Sequence, residues 1–323
     1  MAFEAGRSRL TVERKNLQLQ AKKVLSFLAP TDKVAPLQKI NSGKNQREHW
    51  MKLLSKFALT VALVAGITAA AQAQLSLTDS STSYLINFDS TIAGVSNGAW
   101  AGTGFQAVPV AGQLDSDAWA VTGWTEGDLA FGGTRTTAAT DYTRGAATAA
   151  VGTGGMYAFS GGNITTGVAL GFQPGGSDWA LGTITLRIQN NTSSVLSSLD
   201  VSYLLYVRND QGRANSFNFS FSLDNAAYTA VPGLNLTSGE AVDALGFVSN
   251  SRSTTLSSLT VAPGSSIYLR WNGADVSGAG NRDEFALDNI NLTYSVVPEP
   301  SVYMLLGVGL LFCGQRYLRR RRA

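Results

Sequence analysis

Between Gln74 and Val297 the chain has no histidine, no cysteine and no lysine; its single His is His49 and its single Cys is Cys313. These absences exclude much of the common chemistry. Without His or Cys there is no zinc site of the usual His/Cys type and no disulfide framework. Without His or Lys the Ser-His-Asp, Cys-His and Ser-Lys nucleophilic arrangements lack their general base. Only carboxylates remain for acid or base work. The same stretch lacks any helix-period pattern longer than two turns. It is nevertheless long enough to bury one sizeable core without staples.

Charge is equally uneven. The chain as a whole carries +3, but residues 1–56 hold twelve Lys or Arg against four acids, and five Arg fall in the last eight residues. Residues 74–297 hold eight Arg against seventeen Asp or Glu, a formal charge of −9. Basic ends therefore flank an acidic body, and an acidic body repels phosphate backbones, so no nucleic-acid partner is expected.

Met51 opens a pattern of its own. Lys52 and Lys56 are positive, Phe57 to Ala70 is apolar, and Ala71-Gln72-Ala73 places small residues where a signal peptidase accepts them. This predicts a signal helix over 51–73 cleaved between Ala73 and Gln74, with signal peptidase and the general secretory translocon as partners. Residues 1–50 then read as a mis-assigned or disordered extension ahead of Met51. The alternative is a cytoplasmic extension that turns Lys52–Ala73 into an uncleaved anchor.

From Gln74 the texture becomes rich in Thr, Ser, Gly, Val and Asn. Strand-like runs are expected at Tyr84–Phe88, Ala118–Val121, Met156–Phe159, Ala169–Phe172, Gly182–Gln189, Leu199–Val207, Phe217–Leu223, Thr254–Val261, Ser266–Trp271 and Phe285–Tyr294. Several alternate with a period of two. Phe217, Phe219 and Phe221 share one face, as do Ile184, Leu186 and Ile188, and again Ile290, Leu292 and Tyr294. Gly-Gly pairs at 132–133, 154–155, 161–162 and 175–176 mark loops. Many short strands without interleaved helices give an all-β fold, a β-sandwich of jelly-roll type over 74–297.

The carboxyl end, 298–323, has three parts. Pro298, Glu299 and Pro300 stop the last strand. An apolar run from Val302 to Gly314 follows, shorter than the roughly twenty residues that span a bilayer comfortably. Arg316, Arg319, Arg320, Arg321 and Arg322 close the chain and would stay cytoplasmic, leaving the body outside. Composition alone thus yields a transmembrane helix and an anchor. The three parts together resemble the PEP-CTERM sorting signal. That resemblance implies export, recognition by a membrane-embedded exosortase, and cleavage near Pro-Glu-Pro after transient inner-membrane anchoring. It further implies a place in the cell envelope, at the outer surface or in the extracellular matrix, in bacteria that make exopolysaccharide and biofilm.

Candidate sites in the body are few. Asp275, Asp283, Glu284 and Asp288 lie within fourteen positions and offer hard oxygen ligands suited to calcium. The run Phe285-Ala286-Leu287-Asp288-Asn289-Ile290-Asn291-Leu292 resembles the last strand of jelly-roll carbohydrate-binding modules, which implies an Asp288 that helps hold a structural calcium. The competing reading is of solvated loop acids, with Asp288 bonding backbone amides. Trp119 and Trp124, in Asp- and Gly-rich sequence, are candidates to stack on sugar rings. Trp271, alternating with Ile267 and Leu269, reads as core. The stretches Gln113–Phe131 and Asn190–Ser222 resemble ectodomains attached to bacterial sorting tails. No carboxylate spacing marks an acid/base pair, so the expected role is non-catalytic: structural or adhesive and linked to exopolysaccharide. The alternatives are a calcium-stabilised carbohydrate-binding module and a carboxylate-dependent glycan hydrolase.

Overall fold

The computed structural model describes residues 74–297. The extension, the signal segment and the sorting tail, with every site residue assigned to them except Gln74, lie outside the described residues. Among the described residues no helix is long and apolar enough to cross a membrane.

Sixteen strands are present in this region. They are β1 (Leu75–Leu77), β2 (Ser83–Ile86), β3 (Phe105–Gln106), β4 (Leu114–Asp115), β5 (Trp119–Thr122), β6 (Ala146–Ala147), β7 (Gly155–Gly161) and β8 (Ile164–Gln173). There follow β9 (Thr183–Asn190), β10 (Val195–Arg208), β11 (Arg213–Ser222), β12 (Thr229–Ala230), β13 (Leu236–Thr237), β14 (Phe247–Leu256), β15 (Ser266–Gly278) and β16 (Glu284–Val297). Nine of the ten expected runs fall on β2, β5, β7, β8, β9, β10, β11, β15 and β16, and the tenth only overlaps the end of β14. The run expected at Thr254–Val261 is cut short: β14 ends at Leu256, and Val261 makes only an isolated bridge to Leu196.

The strands form two seven-stranded sheets and one small pair, β3 with β4. The first sheet runs β1-β9-β15-β11-β12, with β5 also on β9 and β13 also on β11. The second runs β14-β10-β16-β8-β7-β6, with β2 also on β16. From β8 to β11 consecutive strands alternate between the sheets, so the chain repeatedly crosses the sandwich. The two inner faces meet in one core. Phe217 of β11 lies 5.5 Å, ring to ring, from Phe285 of β16, and Trp271 of β15 lies 5.7 Å from Tyr203 of β10. Ile184, Leu186, Ile188, Ile267, Leu269, Leu287, Ile290 and Leu292 complete it, all with no accessible surface. Such a face-to-face arrangement of apolar faces is what two half-wet sheets require.

One local device sets the phase of β16. Phe285 and Leu287 face the core, but so do Ile290 and Leu292. The odd-to-even switch comes from a β-bulge: Leu204 of β10 pairs with Asp288, Ser202 pairs with Asn291, and two residues of β16 oppose Tyr203. Asn289 there adopts φ 49°, a left-handed conformation that Asn tolerates better than most residues. Its amide donates to Asp288 Oδ1 at 2.7 Å. As a result Glu284, Ala286 and Asp288 point away from the main core, and a second, smaller cluster of Tyr157, Phe159, Tyr206, Phe247 and Ala286 covers that outer surface.

Candidate functional site

The four carboxylates expected to gather round calcium are not brought together. Asp275, on β15, takes a bidentate ion pair from Arg213, which holds its carboxyl below the usual range. Asp288 accepts from the Asn289 amide inside the bulge. Asp283 and Glu284 are fully buried where β16 begins, rather than solvated in a loop. Asp283 Oδ1 accepts from the Gln211 amide at 2.9 Å, and Glu284 Oε1 from the Val151 amide at 2.8 Å. Among the described residues no group of three or more His, Cys, Asp or Glu is arranged to hold a metal ion. The reason is geometric. Neighbouring residues on a strand point to opposite faces, and Asp275 lies on another strand, so nearness in sequence does not become convergence in space.

These acids have a different chemistry. Burial, and then the negative Asp210 nearby, push Glu284 up to about 8 against the lowering effect of the Val151 amide. Burial also raises Asp283. Arg282, next in line and equally buried, donates to the carbonyls of Gly176 and Asp178. Three consecutive charged-type residues thus close one end of the sandwich. Nothing in the sequence signals this, because charged residues are rarely buried without an evident partner.

The two tryptophans expected at a ligand face are also interior. Trp119 has no accessible surface and packs 6.1 Å from Phe88 and 6.5 Å from Trp271. It alternates with Val121 on the inward side of β5. Trp124 lies 5.2 Å from Trp179, which stacks on Phe172 at 4.6 Å. Gly182 and Gly273 frame Trp179, and a Cβ at either would overlap its indole. Trp271 is core, as its alternation indicates.

A surface site does exist on the opposite side of the first sheet. Because Trp119, Val121, Ile184, Leu186, Leu269 and Trp271 face inward, their neighbours Ala120, Thr122, Thr183, Thr185 and Arg270 face out. The register lines them up: Ala120 pairs with Thr185, Thr185 with Arg270 and Arg270 with Ser220. The 128–131 segment flanks this floor and is tied to β5 through a Val121–Leu129 bridge. Asn225 supplies a further wall. Together they enclose a groove of about 240 Å³.

Its chemistry is mixed. The Arg270 guanidinium lies 3.5 Å from the Tyr228 ring centroid, and its Nε donates to Thr185 Oγ1 at 3.0 Å. Tyr228 is fixed in turn by donating to Asn225 Oδ1 at 2.6 Å. Thr122 and Thr183 share a hydroxyl hydrogen bond of 2.8 Å on the floor. Phe131 packs 5.9 Å from Tyr268, and the Arg187 guanidinium lies 4.7 Å from its ring centroid. Burial lowers Arg270 from its ordinary value and raises Tyr228. A second depression, of about 310 Å³ on the outer face of the second sheet, is lined by Asp200, Ser202, Ser253, Thr255, Asn291 and Thr293 and has no aromatic ring. Sequence reasoning passed over Arg270, Tyr228 and Phe131. The available signal was the alternation of β15, which puts Arg270 and Tyr268 on the wet face once Trp271 is assigned to the core.

Comparison with known proteins bears on the carboxyl end and the fold separately. The PEP-CTERM protein-sorting motif matches at residues 296–322. No curated protein matches the chain. Similar solved structures include a carbohydrate-binding module specific for non-crystalline cellulose, at 13% identity, covering 44% of this chain and 80% of its own, with a TM-score of 0.30. A mannan-recognising carbohydrate-binding module is 15% identical, covers 41% and 77%, and has a TM-score of 0.27. The N-terminal cellulose-binding domain of a Cellulomonas fimi β-1,4-glucanase is 13% identical, covers 57% and 95%, and also has a TM-score of 0.27. At these scores the overlap is partial, and no functional argument rests on it.

Proposed function

From a chain that ends in a PEP-CTERM protein-sorting motif, we propose an exported, non-catalytic bacterial surface protein whose β-sandwich is the cargo that an exosortase sorts. The carrying observation is continuity. β16 ends at Val297, and the motif begins at residue 296, so the last strand of the sandwich runs directly into the signal. No linker intervenes to make the sandwich dispensable to what is sorted. The absence of His, Cys and Lys from residues 74–297 supports a role without nucleophilic catalysis. The mature protein then stands at the outer surface or in the extracellular matrix, in a structural or adhesive role toward exopolysaccharide. The carbohydrate-binding reading is favoured by one specific observation, the groove that Phe131, Thr122, Thr183 and Thr185 line beside Arg270, whose guanidinium is stacked on Tyr228.

The test is genetic and biochemical. Replacing Pro298, Glu299 and Pro300 with alanine in the native host is expected to leave an unprocessed, membrane-associated precursor. Processing and release at the normal rate from that variant would overturn the sorting reading.

A further inference from the structure

We propose that the groove on the outer face of the first sheet binds an acidic polysaccharide of low charge density, with Arg270 taking a sugar carboxylate. This deepens the carbohydrate-binding reading of the same groove and does not depend on the sorting reading.

Three ion pairs join side chains among the described residues, Arg144 with Asp141, Arg208 with Asp210 and Arg213 with Asp275, and Arg270 belongs to none of them. Arg270 is half-buried, yet its fixed contacts are a Tyr ring on one face and a Thr hydroxyl at Nε. Those contacts orient the guanidinium plane of a residue that lines the groove. A guanidinium held by stacking is pre-organised to accept a carboxylate with two parallel hydrogen bonds. Asp128 also lines the groove, but it is exposed and accepts from the Gly123 amide at 3.0 Å.

The remaining surfaces fit a pyranose better than a peptide side chain. Phe131, half-buried, lines the groove with apolar surface for C–H groups, and Thr122, Thr183 and Asn225 line it with polar groups for hydroxyls.

The charge of the whole body narrows the ligand further. Residues 74–297 carry −9. At physiological ionic strength such charges act over about 8 Å, so a carboxylate at Arg270 feels mainly the guanidinium, whereas its neighbours on a densely charged polymer meet the acidic surface. Polymers with a charge on every unit, and nucleic acids, are therefore disfavoured. A heteropolysaccharide with one uronate among several neutral sugars satisfies both conditions.

The experiment is calorimetric titration of the full-length chain, purified in detergent, with three probes. These are gellan oligosaccharides, which have one glucuronate per four sugars, the same oligosaccharides after carboxyl reduction, and oligogalacturonate. Binding to gellan oligosaccharides is expected, with at least a tenfold loss on carboxyl reduction and weaker binding of oligogalacturonate. Arg270→Gln is expected to lower affinity for the native form to that of the reduced form and to leave the reduced form unaffected. Equal affinity for native and reduced forms would overturn the carboxylate assignment while keeping glycan binding. No binding of any probe would remove glycan binding itself. The reduced-glycan comparison uses the unaltered protein, so a variant that fails to fold does not obscure the result.

Discussion

Glu284 sits in the interior as a neutral acid at pH 7, its carboxyl pushed up to about 8 from 4.5. Between those values the folded state holds a proton that the unfolded chain has lost. Stability therefore falls as pH rises from about 4.5 to about 8 and levels off above, with close to one linked proton in the window. Asp115, raised by burial to about 6, acts in the same direction over the lower part of that range. Asp275 acts oppositely and only in acid, where protonation releases Arg213. Chemical denaturation across this range is expected to show the decline, and Glu284→Gln to flatten it and to be the more stable form at pH 8. A Glu284→Gln variant that keeps the full slope would contradict the assignment. The tryptophans lend themselves to a second measurement. Trp119→Ala is expected to cost about 3–5 kcal/mol, since it empties a ring-sized space between the sheets. A loss near zero would mean that the ring is not in the core. At this scale the sequence was partly misleading. The type of each residue was plain, but burial of Arg282, Asp283 and Glu284 depends on which end of the sandwich they close, which no local pattern records. The Asp- and Gly-rich setting of Trp119 and Trp124 read as surface because such composition usually marks loops.

The bulge in β16 is the element on which the second sheet turns. Asn289 in a left-handed conformation lets one strand present Phe285 and Leu287, then Ile290 and Leu292, to the same core. Asn289→Gly is expected to be close to neutral and Asn289→Val to cost about 1–2 kcal/mol, because a β-branched residue is poorly accommodated at positive φ. Equal stability of the Val and Gly variants, measured by denaturant titration, would argue that the bulge does not hold this conformation. The longer strands were legible because a half-buried sheet imposes alternation, as at Ile184, Leu186 and Ile188. The pieces of two or three residues, β3, β4, β6, β12 and β13 among them, were not, since alternation needs more positions than they have. The second alternating half of β16, Ile290, Leu292 and Tyr294, was visible. The phase change ahead of it, and hence the orientation of Asp288, became evident only from the pairing with β10.

For the whole molecule, the acidic charge of residues 74–297 and the two inner aromatic faces describe a sandwich that holds together by packing. Its melting temperature is accordingly expected to stay within about a degree on adding millimolar calcium or a chelator, because the four carboxylates first considered as ligands are engaged elsewhere. A rise of several degrees with calcium would restore the metal reading. The sorting motif is the part of the account most legible in sequence, since its three blocks depend on composition and order and not on a fold. The groove around Arg270 was the least legible, because it is assembled from β5, β9, β15 and two loops that lie far apart in the chain. The most direct measurement of the central claim is the intact mass, with both terminal sequences, of the protein recovered from the envelope and medium of its native host. Export and sorting predict a chain that begins at Gln74 and ends near Pro298. A chain that begins at Met1 and retains Arg319 to Arg322 would contradict them.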